Sequence, residues 1–318
     1  MATAPTSGNL LLRTLQKRKI SIVAVVLIVG LLYASVPQLG FFDSNRQTLL
    51  HSDWRLVGLS VGCLLVSFAA ASIIYGQLSP RPLRFGATYL VQMASAFAGK
   101  VLPAGLGSIS VNYLYLRRQG CRQAVSATVV AVNNLLGFVG HGLWLVLVAV
   151  LLSGQLHGVV LHRVNGWVIA VVATGLVLLL LIIITLRQRL RRAIGDVMIQ
   201  LRTYRHQPSK LVIALGASMV LTACNIAIVW LSSQALQVPL TVLAAAVALT
   251  TGVLAQTVTP TPGGLGGVEA GLVGGLMLAG TSLENAIAVT IMYRLVTYWL
   301  PLLLGGGALL IAVRRRLL

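Results

Sequence analysis

Charged side chains are scarce in this chain of 318 residues. They account for 9% of it, and only 5 are Asp or Glu, against 24 Lys and Arg. Soluble domains normally have about a quarter of their residues charged, so the composition excludes a water-soluble globular protein. A nucleic-acid binder with this basic balance would need a polar domain to present it, and the sequence contains none. Intrinsic disorder is excluded as well, because it requires low hydrophobicity.

Signatures of nucleotide, metal and cofactor sites are also missing. The sequence has no P-loop, GxGxxG, HExxH or GxSxG motif. Its cysteines, Cys63, Cys121 and Cys224, lack CxxC or metal-ligand spacing. We therefore expect no metal, no cofactor and no ATP-driven step. An enzyme is disfavoured, because a single deep carboxylate without an acid–base or metal partner is thin evidence for catalysis.

What the chain does contain is apolar sequence: 57% of its residues are hydrophobic, and its mean hydropathy is +0.92. This composition predicts an all-α polytopic membrane protein, with residues 1–318 forming one integral membrane domain. A bilayer core of roughly 30 Å needs about 20 apolar residues in a helix. The first apolar run follows basic residues as in a signal peptide, but it lacks a clear cleavage site, so we expect it to be retained. The predicted full spans are 20–36, 56–78, 122–153, 166–186, 210–236 and 285–313.

Two further apolar stretches, 85–117 and 241–281, are interrupted by proline and glycine. Proline removes a backbone donor and clashes with the preceding turn, and glycine has low helix propensity. Each stretch is therefore predicted to form a re-entrant hairpin of two short helices, whose second arm cannot cross a bilayer. The first elbow contains Pro103, Gly105 and Gly107, and the second contains Pro260, Pro262, Gly263, Gly264, Gly266 and Gly267.

The distribution of basic residues predicts the orientation. Lys and Arg accumulate on the cytoplasmic side of membrane proteins, and most of them fall on one side if both termini are cytoplasmic and both broken stretches are hairpins. A simple crossing by 85–117 would place Arg84 and Arg117 on opposite sides and weaken this asymmetry. The basic segment 187–210 is expected to be a cytoplasmic amphipathic helix at the lipid headgroups, with a solvated loop as the alternative.

The two elbows resemble each other and lie half a chain apart. In this topology they also enter from opposite sides, the pattern that an inverted-topology duplication leaves. Such repeats are typical of transporters whose binding site lies near the midplane, where broken helices meet. The predicted halves are about 1–155 and 156–318, although a chance similarity between two short motifs is the alternative.

Three charges lie deep in apolar sequence: Lys100, Glu269 and Arg294. An ionisable residue inside the membrane is costly and needs a partner or a polar cavity, so we expect Glu269 to pair with Arg294. The pair could serve a substrate, or it could only clamp the second hairpin to the last helix. Thr297 and Tyr298 share the helix face of Arg294. Lys100 precedes the first elbow, where it could bind phosphate or extend its ammonium to the interface.

Several neutral polar residues are further candidates. Asn112 and the pair Asn133/Asn134 could line the same cavity, although amides inside membranes more often join helices. His141 has no second ligand at metal spacing and is expected to be a packing residue. Gly271 and Gly275 form a GxxxG pattern, which is typical of close helix packing.

The motif Pro262-Gly-Gly-Leu-Gly-Gly-Val-Glu269, followed by Tyr293-Arg294-Leu-Val-Thr297 and Pro301, resembles the flippase-like membrane family. This family includes the transmembrane region of lysylphosphatidylglycerol synthase (multiple peptide resistance factor) and YbhN-type proteins. The first half of the chain matches the family's pattern more loosely, through Leu102-Pro103 and Gly107 leading to Tyr115-Leu-Arg117-Arg118-Gln-Gly120. Family members often have an arginine soon after the first elbow, where this chain has Ser110-Val-Asn112. The soluble aminoacyl-transferase domain of the synthases is not in the sequence.

The resemblance implies a multi-pass inner (plasma) membrane protein that moves lipids, such as aminoacylated phospholipids or polyprenyl-linked sugars, between leaflets. Its expected partners are anionic or lipid-linked headgroups. Together with the deep charges, this gives the hypothesis of a lipid translocase with a polar cavity at the midplane. The alternatives are a proton-coupled transporter of a small solute, a membrane-embedded transferase acting on lipid-linked substrates, and an accessory subunit of a glycosyltransferase or lipid synthase.

Overall fold

The computed structural model describes residues 52–151 and 207–318, and every regular element in these two segments is a helix. A π-helical turn, Leu295–Trp299, connects the last two helices without a break. The α-helices are α1 (Trp54–Leu78), α2 (Phe85–Val101), α3 (Leu106–Arg118), α4 (Gln123–Leu151), α5 (Pro208–Ala235), α6 (Val242–Val258), α7 (Gly267–Leu278), α8 (Leu283–Arg294) and α9 (Leu300–Arg314).

Four helices in the described segments are long and apolar enough to cross a membrane. They are Trp54–Leu78, Gln123–Trp144 within α4, Pro208–Ala235, and the continuous helix Leu283–Arg314. They match the predicted spans 56–78, 122–153, 210–236 and 285–313. The predicted spans 20–36 and 166–186 lie outside the described residues. So does the basic segment 187–210, except for its end, which begins α5.

Local sequence explains where several helices begin. The Asp53 carboxylate caps α1 by accepting from the Arg55 N–H at 2.9 Å, and Thr241 caps α6 through the Ala244 N–H at 3.2 Å. Such capping satisfies one of the N–H groups that have no partner within the helix. Pro208 occupies the first turn of α5, where its missing N–H costs nothing.

The first broken stretch forms an antiparallel helical pair, hairpin A, which consists of α2, elbow A (102–105) and α3. The Asn112 side chain of α3 joins the two arms: it accepts from the Gln92 amide at 2.8 Å and donates to the Ser95 hydroxyl at 2.8 Å. Farther from the elbow, the hydroxyls of Thr88 and Tyr115 lie 2.9 Å apart. The predicted break in 85–117 is confirmed, and polar side chains hold the arms together.

The second broken stretch forms hairpin B, which consists of α6, elbow B (259–266) and α7. Its arms are held together by small residues. The Thr251 hydroxyl donates to the Gly271 carbonyl at 2.7 Å. A Cβ at Gly271 would lie 2.5 Å from the Thr251 carbonyl oxygen, and one at Gly275 would overlap the Thr251 hydroxyl. The GxxxG pattern therefore marks close packing, as predicted.

The other helices surround the two hairpins. Helix α1 packs along α5, and α9 packs along α2. The latter contact is close enough that a Cβ at Gly305 would lie 2.5 Å from the Met93 carbonyl oxygen. The largest apolar core is formed by α1, α5, both arms of hairpin B and α8; its fully buried members include Ile228, Val229, Leu272, Leu276 and Met292. This packing brings the end of α8 against elbow B.

Candidate functional site

The two elbows meet in space. Pro103 of elbow A and Pro262 of elbow B form an isolated antiparallel β-bridge. The two residues after each proline have left-handed backbone, with φ values of 54° and 69° in elbow A and of 60° and 69° in elbow B. Glycine adopts this region without steric cost, which explains three of these four positions. The tips of both hairpins therefore make the same kind of turn at their point of contact.

The predicted Glu269–Arg294 ion pair is present beside elbow B. Arg294 Nε donates to Glu269 Oε1 at 2.7 Å. The other oxygen, Oε2, accepts from the Gly266 N–H at 2.8 Å at the start of α7. The carboxylate therefore joins α8 to the first turn of α7, where the helix dipole also favours a negative charge.

The guanidinium of Arg294 also contacts the backbone of elbow B. Its Nη2 donates to the carbonyls of Gly263 and Gly264, each at 3.3 Å. Only 3% of Arg294 is exposed, so its charge is balanced almost entirely by protein groups. A buried charge is tolerated only when it is paired and hydrogen-bonded in this way. Both interpretations of the pair, clamp and binding group, remain compatible with these contacts.

Lys100 and Arg294 approach the same aromatic ring. Lys100 Nζ lies 5.8 Å from the centroid of the Tyr298 ring, and Arg294 Cζ lies 5.0 Å from it. A cation near an aromatic face is attracted by the ring quadrupole. The ring is fully buried against Gly263, where a Cβ would lie 2.5 Å from a Tyr298 ring carbon. Tyr298 thus connects the deep base of hairpin A to the arginine that holds elbow B.

A π-helical turn positions these residues. Pro301 has no N–H, so it cannot donate to the carbonyl one turn earlier. In the wider turn before it, the Leu300 N–H donates to the Leu295 carbonyl, and the Thr297 hydroxyl donates to the Tyr293 carbonyl at 2.9 Å. Turns of this kind are frequent at functional sites. The kink that Pro301 predicts is accordingly accommodated by a local change of helical pitch.

A cavity of about 450 Å³ opens beside the elbows. Its volume is within the range of ligand pockets, about 300–1,000 Å³. All four candidate spans and both hairpins contribute to its wall. The polar residues that line it are Ser67, Gln92, Ser95, Lys100, Ser108, His141, Thr222, Asn225, Gln256, Tyr293, Arg294 and Thr297.

The predicted site residues divide into two groups. Lys100, Arg294 and Thr297 line the cavity, and Tyr298 lies directly beneath the two bases. The expectation that Asn112 and Asn133 line it as well is wrong. The Asn112 amide is taken up between the arms of hairpin A. Asn133 is half-buried on α4, next to Asn134, which borders a separate depression between α3 and α4.

Several cavity residues were not anticipated from the sequence. Gln92, Asn225 and Gln256 come from three different helices, and all three line the cavity. A polar amide inside an apolar run could have marked each of them, because such groups are costly in a membrane without a partner. His141 contacts the Thr250 hydroxyl at 3.2 Å and also lines the cavity. His141 therefore both packs against a neighbouring helix, as expected, and borders the cavity, which was not expected.

Comparison with known proteins identifies the family. The model for the lysylphosphatidylglycerol synthase TM region matches residues 21–305. The chain belongs to this family, and it is a multi-pass membrane protein. No curated protein matches the chain.

Proposed function

We propose that this member of the lysylphosphatidylglycerol synthase TM-region family is a lipid translocase. The headgroup of a phosphate-bearing lipid would move through the cavity beside the elbows while its acyl chains stay in the bilayer. Desolvation makes the passage of a polar headgroup through hydrocarbon expensive, and a polar path lowers that barrier. Translocation makes and breaks no covalent bond, so it requires no catalytic residue.

The position of Lys100 in the cavity is the main observation that supports the proposal. Its side chain lines the cavity, and no carboxylate of the described segments lies within ion-pair distance of its ammonium. Arg294 also lines the cavity, but its charge is neutralised by Glu269, which is not a lining residue. The cavity therefore has a net positive charge and favours an anion. Gly105 and Ser108, which also line it, mark the start of α3, where helix N–H groups and the helix dipole add to the attraction for a phosphate.

The hairpin geometry supports the re-entrant topology that this function needs. The arms of hairpin A are antiparallel, so Arg84 and Arg117 lie at the same end of it. The positive-inside rule would place that end in the cytoplasm, with hairpin B entering from the outside of an inner (plasma) membrane. The element order also supports two inverted halves, because a span, a hairpin and a second span occur in both described segments.

Cysteine labelling tests this topology. In a variant without the native cysteines, Arg81→Cys and Arg118→Cys mark the two ends of hairpin A, and Pro239→Cys and Asn285→Cys mark those of hairpin B. In intact cells, a membrane-impermeant maleimide is expected to label the second pair and to spare the first. In inside-out vesicles the pattern is expected to reverse. Labelling of Arg81→Cys and Arg118→Cys from opposite sides would mean that hairpin A crosses the membrane.

The direct test of function is a leaflet-selective lipid assay on reconstituted protein. Proteoliposomes containing fluorescent phosphatidylglycerol are treated with dithionite, which reduces only the probe in the outer leaflet. We expect Lys100→Gln to lower the protein-dependent rate by roughly tenfold or more, because a charge-assisted hydrogen bond contributes about 1.5–3 kcal/mol. Lys100→Arg is expected to retain most of the rate, since it keeps the charge.

Lys210→Gln is the matched control, because it removes the same charge at the start of α5, outside the cavity lining. It is expected to behave as the parent protein does. Equal rates for Lys100→Gln and Lys210→Gln would remove Lys100 from the lipid path. A parent protein that moves no lipid faster than empty liposomes do would refute the translocase proposal itself.

A further inference from the structure

Besides the two bases, the cavity lining includes three neutral amide side chains: Gln92, Asn225 and Gln256. Gln92 is only 6% exposed; its amide nitrogen donates to Asn112, and its Oε1 has no partner in the described part of the chain. Asn225, which also lines the cavity, donates to the Leu221 carbonyl at 2.9 Å, and its Oδ1 accepts no hydrogen bond from the described residues. Gln256 makes no side-chain hydrogen bond within residues 52–151 and 207–318. These amides offer both donors and acceptors.

No carboxylate of the described residues lines this cavity. Glu269 lies behind Arg294, with one oxygen on the guanidinium and the other on the Gly266 N–H. Asp53 caps α1, and Glu284 lies exposed in the first turn of α8. The remaining two acids of the chain, Asp43 and Asp196, lie outside the described residues. The described lining of the cavity thus contains two basic side chains, one of which is paired with Glu269, and no carboxylate.

This pattern discriminates between headgroups that share a phosphate. A hydroxyl group is both donor and acceptor, which matches the amide wall. A primary ammonium has only donors, and near the ammonium of Lys100 it would experience like-charge repulsion. We infer that the cavity selects a lipid whose phosphate carries a neutral polyol and disfavours a lipid whose headgroup bears an amine, such as a lysyl ester. The inference rests on the proposed function and specifies its substrate class.

Equilibrium binding tests the inference separately from transport. Purified protein in detergent is titrated with phosphatidylglycerol, lysyl-phosphatidylglycerol or phosphatidic acid of the same acyl composition, and the shift of the thermal denaturation midpoint gives the affinity. Phosphatidylglycerol is expected to bind roughly tenfold more tightly than the lysyl ester, the difference that one charge-assisted interaction makes. Phosphatidic acid, which has the phosphate without the polyol, should fall between them.

A single substitution should abolish the preference. Gln256→Glu keeps the size of the side chain and places a carboxylate in the cavity wall, where it would attract the lysyl ammonium and repel the phosphate. Gln123→Glu introduces the same charge in the exposed first turn of α4, away from the cavity. We expect the ratio of the two affinities to move toward the lysyl ester by roughly tenfold in Gln256→Glu. Gln123→Glu should leave the ratio unchanged.

The outcomes separate the inference from the proposed function. A preference for phosphatidylglycerol that Gln256→Glu abolishes supports the inference, even if the proteoliposomes show no transport. Equal or tighter binding of the lysyl ester by the parent protein overturns it, even if both lipids are transported. Failure of all three lipids to bind overturns it as well, and so does an equal shift of the ratio in Gln123→Glu.

Discussion

Replacement of Arg294 by glutamine is expected to cause the largest loss of stability and function among single side-chain changes. The guanidinium holds the Glu269 carboxylate and two carbonyls of elbow B, and all three contacts disappear together. Removal of one partner of a buried ion pair typically costs about 3–5 kcal/mol, because the other charge is left uncompensated. Glu269 is 23% exposed at its side chain, which favours the lower part of that range. We also expect lipid movement to fall to the rate of empty liposomes.

The double variant separates the two interpretations of the pair. With Glu269→Gln added to Arg294→Gln, no buried charge remains uncompensated, and the denaturation midpoint should recover part of its loss. If Arg294 also contacts the headgroup, lipid movement should stay absent in this stabilised variant. If the pair is only a clamp, movement should recover with stability.

Arg314→Gln is the control, since it removes an exposed arginine at the end of the same continuous helix. It should match the parent protein in both assays. Parent-like lipid movement in both Glu269→Gln and Arg294→Gln would exclude the pair from the translocation path.

Replacement of Gly107 by alanine is the second change with a large expected effect. Gly107 lies in the first turn of α3, and a Cβ there would overlap the carbonyl group of Ala98 on α2. The obstacle is backbone, so the arms of hairpin A must separate. Separation would break the Asn112 hydrogen bonds to Gln92 and Ser95, both 2.8 Å long. We expect a loss at or above the upper end of the roughly 1–3 kcal/mol that overpacking costs, with loss of lipid movement because Lys100 is displaced.

Gly137→Ala provides the matched control. Gly137 lies within α4, and a Cβ there would meet nothing within 4 Å. Alanine is favoured over glycine in a helix interior by roughly 0.5–1 kcal/mol, so this variant should be as stable as the parent protein or slightly more so. Equal denaturation midpoints for Gly107→Ala and Gly137→Ala would show that the hairpin arms can separate without cost.

Two kinds of feature could be predicted from the sequence: breaks in helices at proline and glycine, and the pairing of charges that lie in apolar sequence. Proline and glycine cannot continue a helix, so the breaks at Pro103 and Pro262 could be placed to within a few residues. A charge in apolar sequence must find a partner, and Glu269 and Arg294 were the natural pair within the second half. The helix breaks depend only on residues that are adjacent in the chain. The ion pair depends on charged residues, which are so rare in the apolar segments that few other partners exist.

The neutral wall of the cavity could not be predicted in the same way. Gln92, Asn225 and Gln256 come together only because α2, α5 and α6 pack around one space, and no local pattern fixes that packing. Asn112 shows the converse error: an amide at the right depth was assigned to the cavity, although hairpin A uses it internally. The π-helical turn before Pro301 could not be predicted either, because a proline predicts a disruption of the helix but not how the helix accommodates it.

The contact between Pro103 and Pro262 has an electrical consequence. If water fills the cavity up to the elbows from one side of the membrane, the contact between the two elbows is the thin remaining barrier. A membrane potential falls mainly across the part of a protein that excludes water and ions. Most of the voltage would then act over the short step past the elbow contact rather than across the full bilayer. One elementary charge moved through 100 mV changes in energy by about 2.3 kcal/mol, so the potential could drive an anionic headgroup in one direction without any ATPase.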